Sequence, residues 1–546
     1  LGASLAVAVG LAALTIAGRA RPATPVGPPR FVEGALSAGV EHVYDGDYEF
    51  FVGGGVAVFD CDDDGDPELY FAGGSRPAAL FRNLSRPGEL RFDRLAGAAT
   101  DLRAVTGAYP LDVDGDARVD LAVLRYGENV MLRGLGDCRF ERANEAWGVD
   151  GGGAWTTAFS ATWEGDAALP TLAFGNYVDP ASRDPHDLCA DNVLVRPLGP
   201  GTRYGSPVPL TPSWCTLSLL FSSWDRSTRR DLRVSNDRHY YRDDGAGQEQ
   251  LWRIEPGRPP RLYTAADGWA TVRIWGMGIA SHDVTEDGYP EYFLTSQGDN
   301  KLQTLAEGPS RPHFRDIALR AGVTAHRPYR GDTTLLSTAW HAEFQDVNDD
   351  TFVDLFVAKG NVEAMPDYAA RDPNNLLLGR ADGTFVEGAE EAGIVRFERA
   401  RGAALADLDL DGRLDLVVVN RRANVTLWRN VGPAGPDGAG TPGNWLALRL
   451  RQTGPNRDAI GAWLEVRAGE RTVRRELTVG GGHAGGQLGW LHVGLGPAER
   501  ADVRVQWPDG TWGPWQTAAA NGFVIVERDA PAPRRWRPGE PIGGAG

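Results

Sequence analysis

The chain is almost without lysine: of 56 basic residues only Lys301 and Lys359 are lysine, which reads as coding bias rather than chemistry. Positive charge is also in deficit, 56 Lys plus Arg against 73 Asp plus Glu, for a formal net charge of −17. A general nucleic-acid surface needs a basic face, so that class is excluded. Cysteine is scarce, with four residues and no CxxC or Cys/His cluster of the kind that holds zinc. After the first 17 residues no apolar run is long enough to cross a bilayer. No His-Glu-x-x-His, Gly-x-Ser-x-Gly or Walker loop occurs, so no catalytic site and no enzymatic activity are predicted.

What is abundant is glycine and proline, 70 and 36 of 546 residues, beside 42% apolar residues. That composition suits many tight turns and short strands in more than one domain. Leu1 to Ala17 is apolar except for Ser4 and Thr15, and Arg19, Arg21 and prolines follow. Residues 1–30 therefore read as an export signal or retained anchor with a Pro-rich linker. Either places the body outside the cytoplasm: secreted, periplasmic or at the cell surface. In that setting Cys189 with Cys215, and Cys61 with Cys138, are candidate disulfides, four buried thiols being the alternative.

One motif recurs. Asp60, Asp62, Asp64 and Glu68 form the first copy, and Asp112, Asp114, Asp116 and Asp120 the second. Asp283, Thr285, Asp287 and Glu291 follow, then Asp346, Asn348, Asp350 and Asp354, then Asp407, Asp409, Asp411 and Asp415. Each places oxygen-bearing side chains at positions 1, 3, 5 and 9. Ca²⁺ takes about 6–8 oxygen ligands, and a curled loop brings alternate side chains to one centre. About five structural Ca²⁺ sites are predicted. An EF-hand would carry Glu at position 12 on a helix, whereas here that position lies in β-rich runs such as Leu416-Val-Val-Val419.

Two degenerate copies fill the gap between the second and third. The loop from Trp163 to Thr171 has lost the ligand set, and Ser223, Asp225, Ser227 and Asp231 keep part of one. Loop starts at 60, 112, 163, 223, 283, 346 and 407 are spaced by 51 to 63 residues. Seven such units predict an all-β, seven-bladed β-propeller over 31–432. Aromatic-led segments ending in Gly-Val or Gly-Ile precede most loops: Phe31–Val40, Phe140–Val149, Phe314–Val323 and Phe385–Ile394. None follows Asn430, so the N-terminal segment is expected to supply the last blade's outer strand.

Residues 433–443 read as a Gly/Pro-rich linker, 444–528 as a small β-sandwich of short strands, and 529–546 as a flexible tail. Trp155, Trp275, Trp340 and His341 fall at the starts of inner strands, where they form a candidate ligand site at the mouth of the central channel. The alternative is that they pack between blades. Arg330-Gly331-Asp332 matches the integrin-recognition tripeptide, and Asn83 and Asn424 match the glycosylation sequon inside strands.

The repeats resemble FG-GAP/VCBS repeats, the Ca²⁺-loop blades of integrin-α-like propellers. The tail, with Asn444-Trp-Leu-Ala-Leu-Arg-Leu450, Asn456-Arg-Asp-Ala-Ile-Gly461 and Val505-Gln-Trp-Pro-Asp-Gly510, resembles the ASPIC/UnbV domain. Together they are similar to the cartilage acidic protein 1-like (CRTAC1-like) family. Departures are the two degenerate loops, Thr285 at position 3, and Ala117 and Thr351 at position 6. The resemblance implies an extracytoplasmic calcium-binding protein and no particular activity. The function expected is a non-enzymatic adhesion or protein-interaction scaffold, with a carbohydrate-binding or carbohydrate-active channel mouth as the alternative. Its partner would be a protein or glycan, not nucleic acid, with membrane contact only through the N-terminal segment. The propeller face opposite the Ca²⁺ loops, assisted by the tail and a 178–215 insertion, is the expected binding surface.

Overall fold

Seven short apolar segments, each running into an acidic turn, become the innermost strands of seven antiparallel sheets. They are Val56–Phe59, Val105–Leu111, Thr156–Thr162, Thr216–Ser222, Gly276–His282, Ala339–Gln345 and Arg399–Ala406. The structure, a computed structural model, describes residues 27–183, 188–199, 201–237, 247–324, 331–332, 334–433 and 442–542. The export signal or anchor and most of the 433–443 linker lie outside them. So does Arg330, whereas Asp332 of the same tripeptide accepts backbone N–H groups of Ala370 and Arg371 at 3.0 and 2.9 Å.

Each inner strand pairs with the next in sequence, and blades build outward through four strands, with Gln487–Leu488 of the tail added parallel to the inner edge of blade one. In blades two to seven the register slips near the start of the inner strand, as at Val105/Gly107 and Thr156/Ala158. One bulge per blade bends the strand at the same height around the ring. Outer strands Phe140–Arg142 and Phe314–Asp316 lead into one helical turn each, ended by Gly148 and Gly322 at φ 71° and 80°. The blade interfaces bury the aliphatic and aromatic side chains.

Blade seven is closed by Pro29–Glu33, which pairs antiparallel with Thr426–Pro433, Phe31 opposite Asn430. The N-terminal segment is therefore the last blade's outer strand, as its sequence phase indicates. The 178–215 segment is not an insertion: Asn192–Val195 and Val208–Leu210 within it are blade three's own outer strands. The disulfides are Cys61–Cys138, which ties the first loop to blade two, and Cys189–Cys215, which ties blade three to the start of blade four.

The tail forms two four-stranded sheets. One comprises Asn444–Arg451, Leu491–Gly496, Gly522–Glu527 and Arg534–Trp536, the other Trp463–Ala468, Arg471–Glu476, Arg500–Gln506 and Gln516–Ala519. Their facing side chains make one core around Leu448, Leu464 and Val503. The 529–546 segment is not loose throughout. Arg534–Trp536 pairs with Gly522–Glu527, and Trp536 and Ile542 are each 1% exposed. Burying an indole and an isoleucine overrides a local Pro/Arg/Gly composition that would favour disorder.

Candidate metal loops and the docked tail domain

The five full loops share one hydrogen-bond plan. The position 1 carboxylate accepts N–H groups from within its own loop: Asp63 and Gly65 on Asp60, Gly115 and Ala117 on Asp112, Asp411 and Gly412 on Asp407. The position 5 carboxylate accepts the N–H two residues on, at 2.8–3.0 Å in all five. The position 9 carboxylate clamps the N–H of position 2, as Asp120 does with Val113 at 2.7 Å and Asp354 with Val347 at 2.9 Å. Position 6 has positive φ throughout, including Ala117 at 71° and Thr351 at 78°. The two sequence departures therefore leave the loop path unchanged and store local strain instead.

This plan collects carboxylates where water is excluded. Glu68, Asp120, Glu291, Asp354 and Asp415 are at most 1% exposed. Asp60, Asp62 and Glu68 present oxygens within 4.8 Å of one another, as do Asp112, Asp114 and Asp120, and Asp407, Asp409 and Asp415. Burial first, and neighbouring carboxylates second, push Asp62 to about 6. Burial, with Asp458 adding, pushes Asp112 to about 7; burial, with Asp409 adding, pushes Asp411 to about 6. Asp62 Oδ1 and Asn348 Oδ1 are buried without a hydrogen-bond partner. Crowded buried carboxylates that repel one another, with two loop oxygens left without a donor, fit a hard divalent cation.

The two degenerate loops solve the same problem differently. In blade three, Glu164 accepts Arg196 at 2.7 Å and the Thr171 hydroxyl at 2.7 Å. In blade four, Arg229 lies 3.0 Å from Asp225 and 3.0 Å from Asp231, and Trp224 and Tyr263 donate to the other Asp231 oxygen at 2.8 Å each.

The tail sits on the loop-bearing face, not opposite it. Arg449 meets Asp60 at 3.2 Å, Arg474 meets Asp283 at 3.3 Å, and His492 meets Asp349 at 2.6 Å. Blade four contributes most. Its Arg226 lies over Trp463 at 4.7 Å and Trp512 at 5.4 Å and pairs with Glu465 at 3.1 Å. Arg504 continues the stack between Trp512 and Trp515, at 4.1 and 4.4 Å. Glu476 of the tail accepts Ser222 Oγ at 2.7 Å and Ser223 N at 3.0 Å.

From the tail a glycine-rich loop, Val479 to Gln487, enters the central channel and touches inner strands around the ring. Gly481 and Gly482 donate to Leu219 and Ile279 carbonyls at 2.7 Å each. Ala108 donates to Ala484 at 3.1 Å, Val58 to Gly486 at 3.0 Å, and Ser160 Oγ to Val479 at 2.5 Å. A Cβ on Gly485 would stand 2.2 Å from the Val56 carbonyl, and one on Gly107 would stand 1.9 Å from the Ala484 carbonyl, so contact at this range needs glycine on both sides. His483 at the tip is fully buried. Its Nδ1 meets the Met277 carbonyl at 3.0 Å and its Nε2 accepts Gly53 N–H at 3.1 Å. Burial lowers its pKa to about 3, which keeps the ring neutral.

The candidate channel-mouth site is therefore closed. Trp155 and Trp340 are 0% exposed and His341 5%. Trp340 packs against His483 at 5.0 Å and under Arg401 at 4.1 Å, and its indole donates to Gly360 O at 2.7 Å. His341 Nδ1 accepts the His483 N–H at 3.1 Å. Trp275 is half-buried, and its carbonyl accepts Gln297 N–H at 3.1 Å. Trp340 and His341 thus pack against the plug, and Trp155 packs among Tyr48, Tyr126 and Tyr177. The five glycines between Gly480 and Gly486 were the sequence signal for the plug. Asn83 and Asn424 are likewise engaged, by Leu408 O and His42 N at 2.8 Å each.

Comparison with known proteins agrees with the modules. Residues 346–418 match the family described as FG-GAP-like repeat, and residues 452–532 match ASPIC and UnbV. That is the architecture of cartilage acidic protein 1-like proteins. No curated protein matches the chain. Among solved structures, BBS1N in complex with ARL6DN is similar at 10% identity and a TM-score of 0.42, over 74% of this chain and 98% of that one. AofleA from Arthrobotrys oligospora is similar at 12% identity and 0.35, over 63% and 87%. The Dos1 propeller is similar at 8% identity and 0.35, over 75% and 96%. None of the three is close enough to bear on function.

Proposed function

We propose that the chain is an extracytoplasmic, calcium-stiffened scaffold that binds a macromolecular partner through the propeller face away from its tail domain. The two disulfides suit an oxidising compartment. The observation that carries the reading is the docked tail: it covers the metal-loop face and plugs the channel, so the loops of the other face remain for recognition. Asp60, Asp62 and Glu68, and their counterparts in the other four full loops, would hold the Ca²⁺, which supplies charge neutralisation and no reaction. A carbohydrate-active site at the channel mouth has lost its opening. Loops on a rigid ring are where binding commonly resides, and Tyr48, 41% exposed and edge-on to Trp155 at 5.6 Å, stands on that face. The test is a pull-down from the protein's own extracellular milieu with and without Ca²⁺, paired with calorimetric Ca²⁺ titration. Partner capture that survives a Tyr48→Ala change and a blocked distal face, or absence of Ca²⁺ uptake, would defeat the proposal.

A further inference from the structure

A cleft of about 460 Å³ runs between blades five and six and the tail. Its volume lies in the roughly 300–1,000 Å³ range of small-molecule sites, which favour domain junctions. Blade five brings Arg315 and Arg320, blade six brings Arg380, and the tail strand Arg471–Glu476 brings Arg471 and Arg475. The chain as a whole is strongly acidic, so five guanidinium groups around one cleft run against its composition.

The pairing within the cleft is one-sided. Its carboxylates are engaged: Glu286 by Arg471, Asp283 by Arg474 at 3.3 Å, Asp382 by Thr384 at 2.6 Å, and Asp346 by its own loop's N–H groups. Arg315, Arg320 and Arg380 are exposed and make no ion pair among the described residues. Arg475 donates to a neutral partner, Gln345 Oε1, at 2.9 Å. Arg315, Arg320 and Arg380 are thus left without an ion-paired carboxylate among the described residues, at a site both domains build. Guanidinium forks favour planar or tetrahedral oxyanions, to which they donate paired charge-assisted hydrogen bonds.

We propose that this cleft binds a small organic oxyanion, a sulfated, phosphorylated or carboxylated ligand up to about disaccharide size, gripped between the propeller and the tail. The site is independent of the scaffold reading, because it lies on the tail side and needs no macromolecular partner.

The test is isothermal titration of the full chain in calcium-containing buffer with a sulfated disaccharide, a uronic-acid disaccharide, a sugar monophosphate and the neutral disaccharide. Binding of at least one anionic probe and none of the neutral sugar is expected, and which anion binds identifies the charged group. Replacing Arg315 and Arg380 with Ser should weaken it about tenfold or more, since both charge-assisted hydrogen-bond donors are lost. Both side chains are exposed, so the melting temperature should hold. Arg91→Ser with Arg139→Ser, which removes equal charge from blades one and two, should leave affinity unchanged. Absence of binding to every anion, equal weakening by the control pair, or indifference to the Arg315/Arg380 changes overturns the proposal.

Discussion

The loops of blades four and seven follow the same path but pair their acids differently. Both turn through positive φ at position 4, Arg226 at 55° and Leu410 at 53°, and both bury a position 9 aspartate, Asp231 and Asp415, at 1% exposure. Blade seven gathers Asp407, Asp409 and Asp415, which make no ion pair among the described residues, while Arg413 of the same loop pairs with Asp411. Blade four has Ser223 and Ser227 where the five full loops carry acids, and Arg229 bridges the two aspartates that remain. At blade four a guanidinium carried by the chain stands where the proposed Ca²⁺ would sit in the full loops. It also frees the blade four loop for other contacts, and Arg226 and Arg230 of that loop reach into the tail.

Calcium removal should break the comparison most visibly. Each site that binds only the native loop adds about 2.7 kcal/mol at a hundredfold excess over its Kd, and five sites sum to an effect far larger than any single substitution. Chelation is expected to lower the melting temperature by more than about 10 °C. Hydrogen exchange should rise in loops one, two, five, six and seven and stay constant over 223–231. An unchanged melting temperature with no calorimetric uptake refutes the metal assignment, and equal exchange in all loops refutes the distinction.

Arg229→Ala is the complementary break. It strands Asp231 beside Asp225, and removal of one partner from a buried pair costs about 3–5 kcal/mol, discounted here because Arg229 is 23% exposed. About 2–3 kcal/mol of destabilisation is expected, unaltered by calcium in urea titrations. Stability equal to the parent protein would show that the bridge contributes nothing.

Protons should compete with Ca²⁺ for these loops, in a direction set by the raised carboxylates. Asp112 and Glu291 are pushed to about 7, Asp62 and Asp283 to about 6, with burial the first cause in each. A carboxyl group whose folded pKa is raised adds stability below its unfolded value near 4 and loses it as pH climbs through the folded value. Calcium-free protein should therefore be more stable at pH 5 than at pH 8. The stabilisation conferred by calcium should grow across the same interval. Melting curves at pH 5, 6, 7 and 8 with and without calcium read both; a calcium effect independent of pH contradicts the crowded-carboxylate account.

The sequence made the ring legible because its information is local and repeated. Asp at alternate positions, a following Val/Leu strand and an aromatic-led outer strand recur every 51 to 63 residues, so phase alone places the Phe31 segment as the last blade's outer strand, and the structure sets Phe31 opposite Asn430. Docking was illegible because it joins residues hundreds apart, such as Arg226 with Trp463, through no shared period. The function of Arg229 was hidden for a different reason. Arg118, Arg229 and Arg413 all occupy position 7, and Arg413 reaches Asp411 and the Asn430 carbonyl instead. Only in blade four does a serine at position 5 replace the acid that would hold it there. The aromatic mouth was misplaced because strand starts in a propeller do converge, but the sequence could not show that a distant glycine loop already occupied the space.

The smallest effect separates loop strain from loop charge. Ala117 holds φ 71° at a position where loops one, five and seven have glycine, and its N–H donates to Asp112 at 3.0 Å. An alanine in the left-handed region costs about 1–2 kcal/mol, which glycine avoids, while the unfolded chain gains entropy from glycine that offsets part of it. Ala117→Gly should raise stability by about 0.5–1 kcal/mol and leave the Asp112–Ala117 hydrogen bond in place. The gain should be the same with calcium and with chelator, since the substitution changes backbone strain and leaves the carboxylates untouched. Denaturant melts in both buffers decide it. A gain seen only with calcium would mean that the alanine limits how the loop closes on its cation, and blade two would then belong energetically between blades four and seven.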